Sequence, residues 1–113
     1  MRAVDLTTGE EIAGAVAVAR SMPARMKGLL GKKEMNQGDG LLIQPCMGIH
    51  TFGMRFAIDV IFFDRTKRII ALLKDLPPNR LTRFYFRAVG VLELPAGTLR
   101  KTSAKVGDEV GFV

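Results

Sequence analysis

Ile58-Asp59-Val60-Ile61-Phe62-Phe63, Asp64-Arg65-Thr66-Lys67, Arg68-Ile69-Ile70-Ala71-Leu72-Leu73 is the stretch from which the fold is read. Two apolar, largely branched and aromatic runs flank four residues of turn chemistry, the pattern of a β-hairpin. Asp64 stands at the first turn position, where its side chain bonds backbone amides two residues on. Outward from this hairpin, short apolar runs punctuated by Gly, Pro, Asn and Asp recur along the chain. Ala15 to Ala19, Gly40 to Gln44, Ile49 to Arg55, Ala88 to Leu94 and a last segment ending at Val113 read as further strands. Leu81 to Arg87 reads as an edge strand that places Phe84 and Phe86 toward the core and Arg83, Tyr85 and Arg87 outward. Ser21 caps a short helix from near Pro23 that Gly31 ends, and Gly97 to Ala104 suits one or two helical turns. Seven or eight strands with two short helices predict a mainly β fold, a small sandwich or a jelly-roll-like, partly closed barrel.

The 113 residues suit one domain spanning positions 1–113, long enough to bury a core without disulfides or metals. A single cysteine, Cys46, forms no internal disulfide and implies no oxidising compartment. The apolar run Ile12 to Ala19 is too short to span a membrane, and Glu10 and Glu11 before it are unlike a secretory leader. These features predict a cytoplasmic protein.

The net charge is +6, and the basic residues are spread widely with two denser zones, Arg20 to Lys33 and Arg80 to Lys105. A solvated basic surface is the plain reading; anionic small ligands, nucleic acid and membrane headgroups are the functional ones. Neither zone carries a recognition-helix, zinc-finger or single-strand-binding signature. No phosphate-binding glycine loop, serine nucleophile elbow or dinucleotide fingerprint occurs. The amides after Pro95-Ala96-Gly97-Thr98 could take an anion, or be capped locally.

The polar residues set into apolar runs are the site candidates. Asp59 shares its strand face with Ile61 and Phe63, and Glu93 shares its face with Val91. A carboxylate on such a face is costly unless donors or a cation meet it. If both acids converge at one end of the sandwich with His50 and Arg55, they make a site with shifted pKa values. If instead they bond loop amides or arginines, they are structural. Cys46 and His50 stand at Cys-x3-His spacing, but a structural zinc needs four ligands and these are the only Cys and His. A three-ligand metal site of His50, Asp59 and Glu93, and a thiol nucleophile at Cys46 assisted by His50, are weaker alternatives.

The motifs Arg25-x-x-Gly28-Leu29-Leu30-Gly31, Gly40-Leu41-Leu42-Ile43, Ile49-His50-Thr51-x-x-Met54-Arg55-Phe56, Ile58-Asp59-Val60-Ile61-Phe62, Leu92-Glu93-Leu94-Pro95-Ala96-Gly97 and Gly107-Asp108 together carry a resemblance. Over about residues 15 to 113 the chain resembles the prokaryotic family catalogued as domain of unknown function 192. The resemblance implies a small, mostly β fold of sandwich or jelly-roll type and no established activity. Gly53 stands where that family usually carries a bulky aromatic, and Ala57 where it usually has proline.

These readings favour a binding or accessory domain over an enzyme, with no metal or cofactor. Its polar pocket would be built from Arg25, His50, Thr51, Met54, Arg55, Asp59 and Glu93 and would take a small polar or anionic ligand. The alternatives are a hydrolase-like enzyme using Asp59 or Glu93 with His50, and nucleic-acid binding through the basic surface.

Overall fold

The hairpin at the centre of the sequence is also the centre of the fold. In the computed structural model, which describes the backbone of residues 1–113 and all side chains but those of Met22, Pro23 and Met26, β5 (Ile58–Asp64) pairs antiparallel with β6 (Ile69–Leu76). In the turn between them the Asp64 carboxylate accepts from the amides of Thr66 at 2.9 Å and Arg68 at 3.0 Å. The Thr66 hydroxyl also donates to it, the main reason the Asp64 carboxyl is held below its usual range. On its other edge β5 pairs antiparallel with β7 (Ala88–Pro95). β7 in turn holds β4 (Asp39–Ile43), which pairs in parallel with β3 (Ala15–Ala19), giving a five-stranded sheet of order β3-β4-β7-β5-β6. A second sheet of order β2-β1-β8 is formed by β1 (Ala3–Asp5), β2 (Glu11–Ala13) and β8 (Val110–Phe112). The expected mainly β architecture with short helical turns is therefore what the chain adopts.

Both faces of the large sheet are covered. One carries Ile61, Phe63, Leu92 and Leu94, packed against Ala3, Ile12, Ala13 and Val110 of the small sheet. The other carries Ile58, Val60, Phe62 and Val91, packed against Leu29 and Met54 of the connections. Each such side chain removed from water contributes roughly 1.5–3 kcal/mol. The parallel β3–β4 pair needs a crossover, and the helix α1 (Met22–Lys27) lies in it. Ser21 caps α1 as expected, its hydroxyl accepting from Ala24 N at 3.2 Å. The helix stops at Gly28, which takes φ +47°, three residues before the Gly31 that the sequence suggests.

β3 is the strand expected at Ala15–Ala19, and β2 on the other side of Gly14 belongs to the other sheet. Two expectations fail. Ile49 to Arg55 is not a strand. Its amides and carbonyls bond to the 79–82 loop rather than to a ladder, and only an isolated bridge joins His50 to Leu81. Leu81 to Arg87 is not a regular strand either, and its alternation has the opposite phase. Tyr85 packs on Phe62 with ring centres 4.4 Å apart, while Phe84 and Phe86 are 63% and 80% exposed.

Close packing leaves no space at Gly90, where an added Cβ would stand 2.5 Å from Cζ of the fully buried Phe63. Overpacking here has no flexible neighbour to absorb it. Gly90→Ala is expected to lower stability by about 1–3 kcal/mol, measured as a reduced urea midpoint at an unchanged m-value.

Candidate functional site

The register of β5 against β7 decides where the two acids go. Asp59 stands opposite Leu94, and Val60 stands opposite Glu93. Directly opposed residues of an antiparallel pair share a face, and neighbours along a strand do not. Asp59 and Glu93 therefore point to opposite faces of the sheet. The convergent acid pair and the three-ligand metal site fail for this reason; of the two acids expected to act with His50 in a hydrolase-like site, Glu93 shares a cavity with it and Asp59 does not. Among the described residues no group of three or more His, Cys, Asp or Glu is placed to hold a metal ion.

Asp59 is fully buried and fully occupied. One carboxylate oxygen accepts from Asp75 N at 2.9 Å and the other from Leu99 N at 2.8 Å. The second donor opens the 3₁₀ turn Leu99–Lys101, so the anion at the amides after Pro95 is the protein's own carboxylate. Asp59 is a fastener between β5, the end of β6 and this turn.

Thr51 has a comparable role. Its hydroxyl donates to Pro77 O at 2.7 Å and accepts from Arg80 N at 2.9 Å, while its amide donates to Arg80 O at 2.8 Å. With Thr82 N bonded to Ile49 O and Tyr85 N to Met47 O, these bonds lace the 45–57 segment to the 77–87 segment. Arg55 lies on the exposed side of that segment.

Glu93 faces a cavity of about 600 Å³, open to solvent on one side, between the large sheet, α1 and the laced segments. Of the seven expected pocket residues, Arg25, His50, Met54 and Glu93 line it, and Thr51, Arg55 and Asp59 do not. Most of its wall is apolar, from Leu29, Leu30, Ile43, Ile49, Met54, Phe84 and Ala88. The expected polar pocket is thus an apolar one with few polar groups. Lys27 adds an exposed cation to the lining, and half-buried Arg25 a second. Glu93 is 4% exposed, and burial pushes its carboxyl up to about 7. The Glu93 carboxylate lies close under α1: a Cβ at Gly28 would stand 3.9 Å from its Oε1. His50 is exposed, stacks on Phe52 at 5.4 Å and accepts from Phe52 N through Nδ1 at 3.2 Å.

Cys46 also lines the cavity. Its thiol donates to Gly48 O at 3.2 Å, and burial pushes its pKa up. A protonated, partly buried thiol is a poor nucleophile. The Gly28-Leu29-Leu30-Gly31 motif, which reads as close packing and a helix stop, contributes Gly28, Leu29 and Leu30 to the lining.

The model of the family described as uncharacterized ACR, domain of unknown function 192, matches residues 4–112. The chain belongs to this family. It is 30% identical to a UPF0127 protein of Thermococcus sibiricus over 96% of this chain and 73% of that protein. A crystal structure of a protein of unknown function from Novosphingobium aromaticivorans matches the fold with a TM-score of 0.78. That match holds at 21% identity and covers 99% of this chain and 93% of the other. A Sinorhizobium meliloti structure, of a protein proposed to be a transcription regulator, matches with a TM-score of 0.79 at 20% identity. It covers 97% of this chain and 89% of that one. At these identities the two structures speak for the fold. No helix among the described residues is long and apolar enough to cross a membrane.

Two measurements separate the roles of the acids. Asp59→Asn replaces one acceptor by an NH₂ that faces a backbone N–H, and is expected to cost about 1–3 kcal/mol of stability in urea unfolding. For Glu93 the folded pKa, about 7, lies above the ordinary 4.5, so the folded state holds the extra proton between these values. Its contribution is present below pH 4.5 and lost as pH rises through 7, by about 3 kcal/mol in all. Glu93→Gln is expected to flatten that pH dependence, read as the urea midpoint across the same range.

Proposed function

We propose that this domain binds a small amphiphilic molecule, with an apolar body in the cavity and an anionic head at its mouth. The observation that carries the reading is Glu93, a carboxyl 4% exposed beneath apolar walls, in a cavity whose lining also holds Arg25 and Lys27. A volume of about 600 Å³ is in the range that small-ligand sites occupy. Apolar walls supply affinity without direction, and a few polar groups fix orientation. Below its pKa the neutral Glu93 carboxyl donates a hydrogen bond to an acceptor on the buried part of the ligand. The cations on α1 attract a carboxylate or phosphate, which is the anionic preference the basic composition suggests. A reducing compartment such as the cytoplasm suits the partly buried, unpaired thiol of Cys46 in the wall.

Thermal unfolding in octanoate, octanol and octylamine tests this, because the three share a chain and differ in the head. Octanoate is expected to stabilise most, by about 2.7 kcal/mol at a hundredfold excess over Kd. Lys27→Glu is expected to reduce that stabilisation while leaving the unliganded protein unchanged. Equal shifts from all three compounds, or none from any, would overturn the proposal.

A further inference from the structure

The phase reversal over residues 81–87 leaves an apolar ledge in the open. Phe86 is 80% exposed, Leu81 73%, Phe84 63% and Met47 45%. Among the described residues, these four and the 49%-exposed Phe52 are five of the nine large hydrophobic side chains that are exposed, and all five lie on the two laced segments. They stand on neighbouring stretches of backbone. The Phe84 and Phe86 ring centres are 6.2 Å apart, and Phe84 lies against Gly48, 3.2 Å from where its Cβ would be. Met47 is held beside them by the Tyr85 N to Met47 O bond, and Leu81 bridges to His50, on which Phe52 stacks.

The charge of this ledge is mainly of one sign. Residues 44–58 and 77–92 contain no acid, and Arg55, Arg80, Arg83 and Arg87 among them are all exposed. The acid on this side is Asp64 of the β5–β6 turn, whose carboxyl the charge of Arg87 helps to hold down. Among the described residues, the ion pairs formed at the surface use Arg2, Arg68 and Arg100 instead. Apolar side chains projecting from a predominantly cationic surface suit a partner that is anionic at its face and apolar just beneath it.

We infer that the ledge of Met47, Leu81, Phe84 and Phe86, with Arg83 and Arg87, docks the protein on an anionic lipid surface. The arginines meet the headgroups and the apolar side chains enter the boundary below them. A single-stranded nucleic acid fits less well. The Tyr85 ring is covered on Phe62 at 4.4 Å and has the Arg83 guanidinium 5.0 Å from its centre, so it is no platform for a base. The Phe84 and Phe86 rings already contact each other, and Leu81 and Met47 offer no ring for stacking. The inference stands without the ligand reading, although Phe84 lines the cavity as well and so joins the two.

Flotation of the full chain with vesicles tests it, using phosphatidylcholine alone and phosphatidylcholine with about one third phosphatidylglycerol. Binding is expected only to the anionic vesicles and is expected to weaken with added salt. Phe84→Ser with Phe86→Ser is expected to reduce it at least about tenfold, since each ring loses part of its burial in lipid. Arg83→Gln with Arg87→Gln is expected to reduce it and to flatten the salt dependence. All four positions are exposed, so unchanged thermal unfolding of the variants is the control for folding. The inference fails if anionic vesicles are not bound, if the variants bind as the parent does, or if a single-stranded oligonucleotide at the same salt is bound more tightly than the vesicles.

Discussion

Burial of β5 on both of its faces is the constraint on which the rest of the structure depends. Six of its seven residues, Ile58 to Phe63, are buried. A strand in that position needs an apolar layer above and below it, and neither layer can be small. The β2-β1-β8 sheet supplies one, and α1 with the laced segments supplies the other. The single polar side chain among these six buried residues, Asp59, is tolerated because two backbone amides satisfy it, and those amides belong to segments that must close over the sheet end. One carboxylate thus ties the strand, the end of β6 and the 3₁₀ turn into a fixed relation.

The two layers differ in how they are made, and that difference places the cavity. The small sheet presents strand faces and packs densely. The opposite layer consists of a six-residue helix and irregular connections, whose backbone groups bond mostly to one another across the Thr51 lacing. Such a layer covers the sheet without filling it, and the space left over is the cavity against Glu93. The same lacing determines which side chains turn outward. With Tyr85 committed to Phe62, its neighbours Phe84 and Phe86 turn away from the core, Phe86 to solvent and Phe84 to solvent and the cavity. The cavity and the apolar ledge are in this sense two consequences of one irregular layer.

The two buried acids show how similar sequence settings receive different chemistry. Each sits on a strand among apolar neighbours, and each is buried. Asp59 meets two N–H donors and keeps a structural task. Glu93 meets a cavity, and burial lifts its pKa to about 7, so its protonation state responds to the pH range in which most proteins work. The difference comes from the face of the sheet, not from the strand or the residue type.

What the sequence by itself determined is local: the β5–β6 hairpin and its Asp64 turn, the Ser21 cap on α1, the mainly β composition, and the presence of acids on apolar faces. These follow from side-chain periodicity and turn chemistry over a few residues. Only the tertiary structure decided that Asp59 and Glu93 lie on opposite faces, because alternation orders faces within a strand and the register relates one strand to another. It also decided that Ile49 to Arg55 is laced to a segment about 29 residues on rather than forming a strand, through the hydroxyl of Thr51. That bond, like the phase of Tyr85 against Phe62, joins residues whose nearness no local pattern encodes. Arg25, His50, Met54 and Glu93 were legible as candidates because they are polar or motif-borne. The apolar wall around them was not, since a leucine or isoleucine lining a cavity has the same sequence signature as one filling a core.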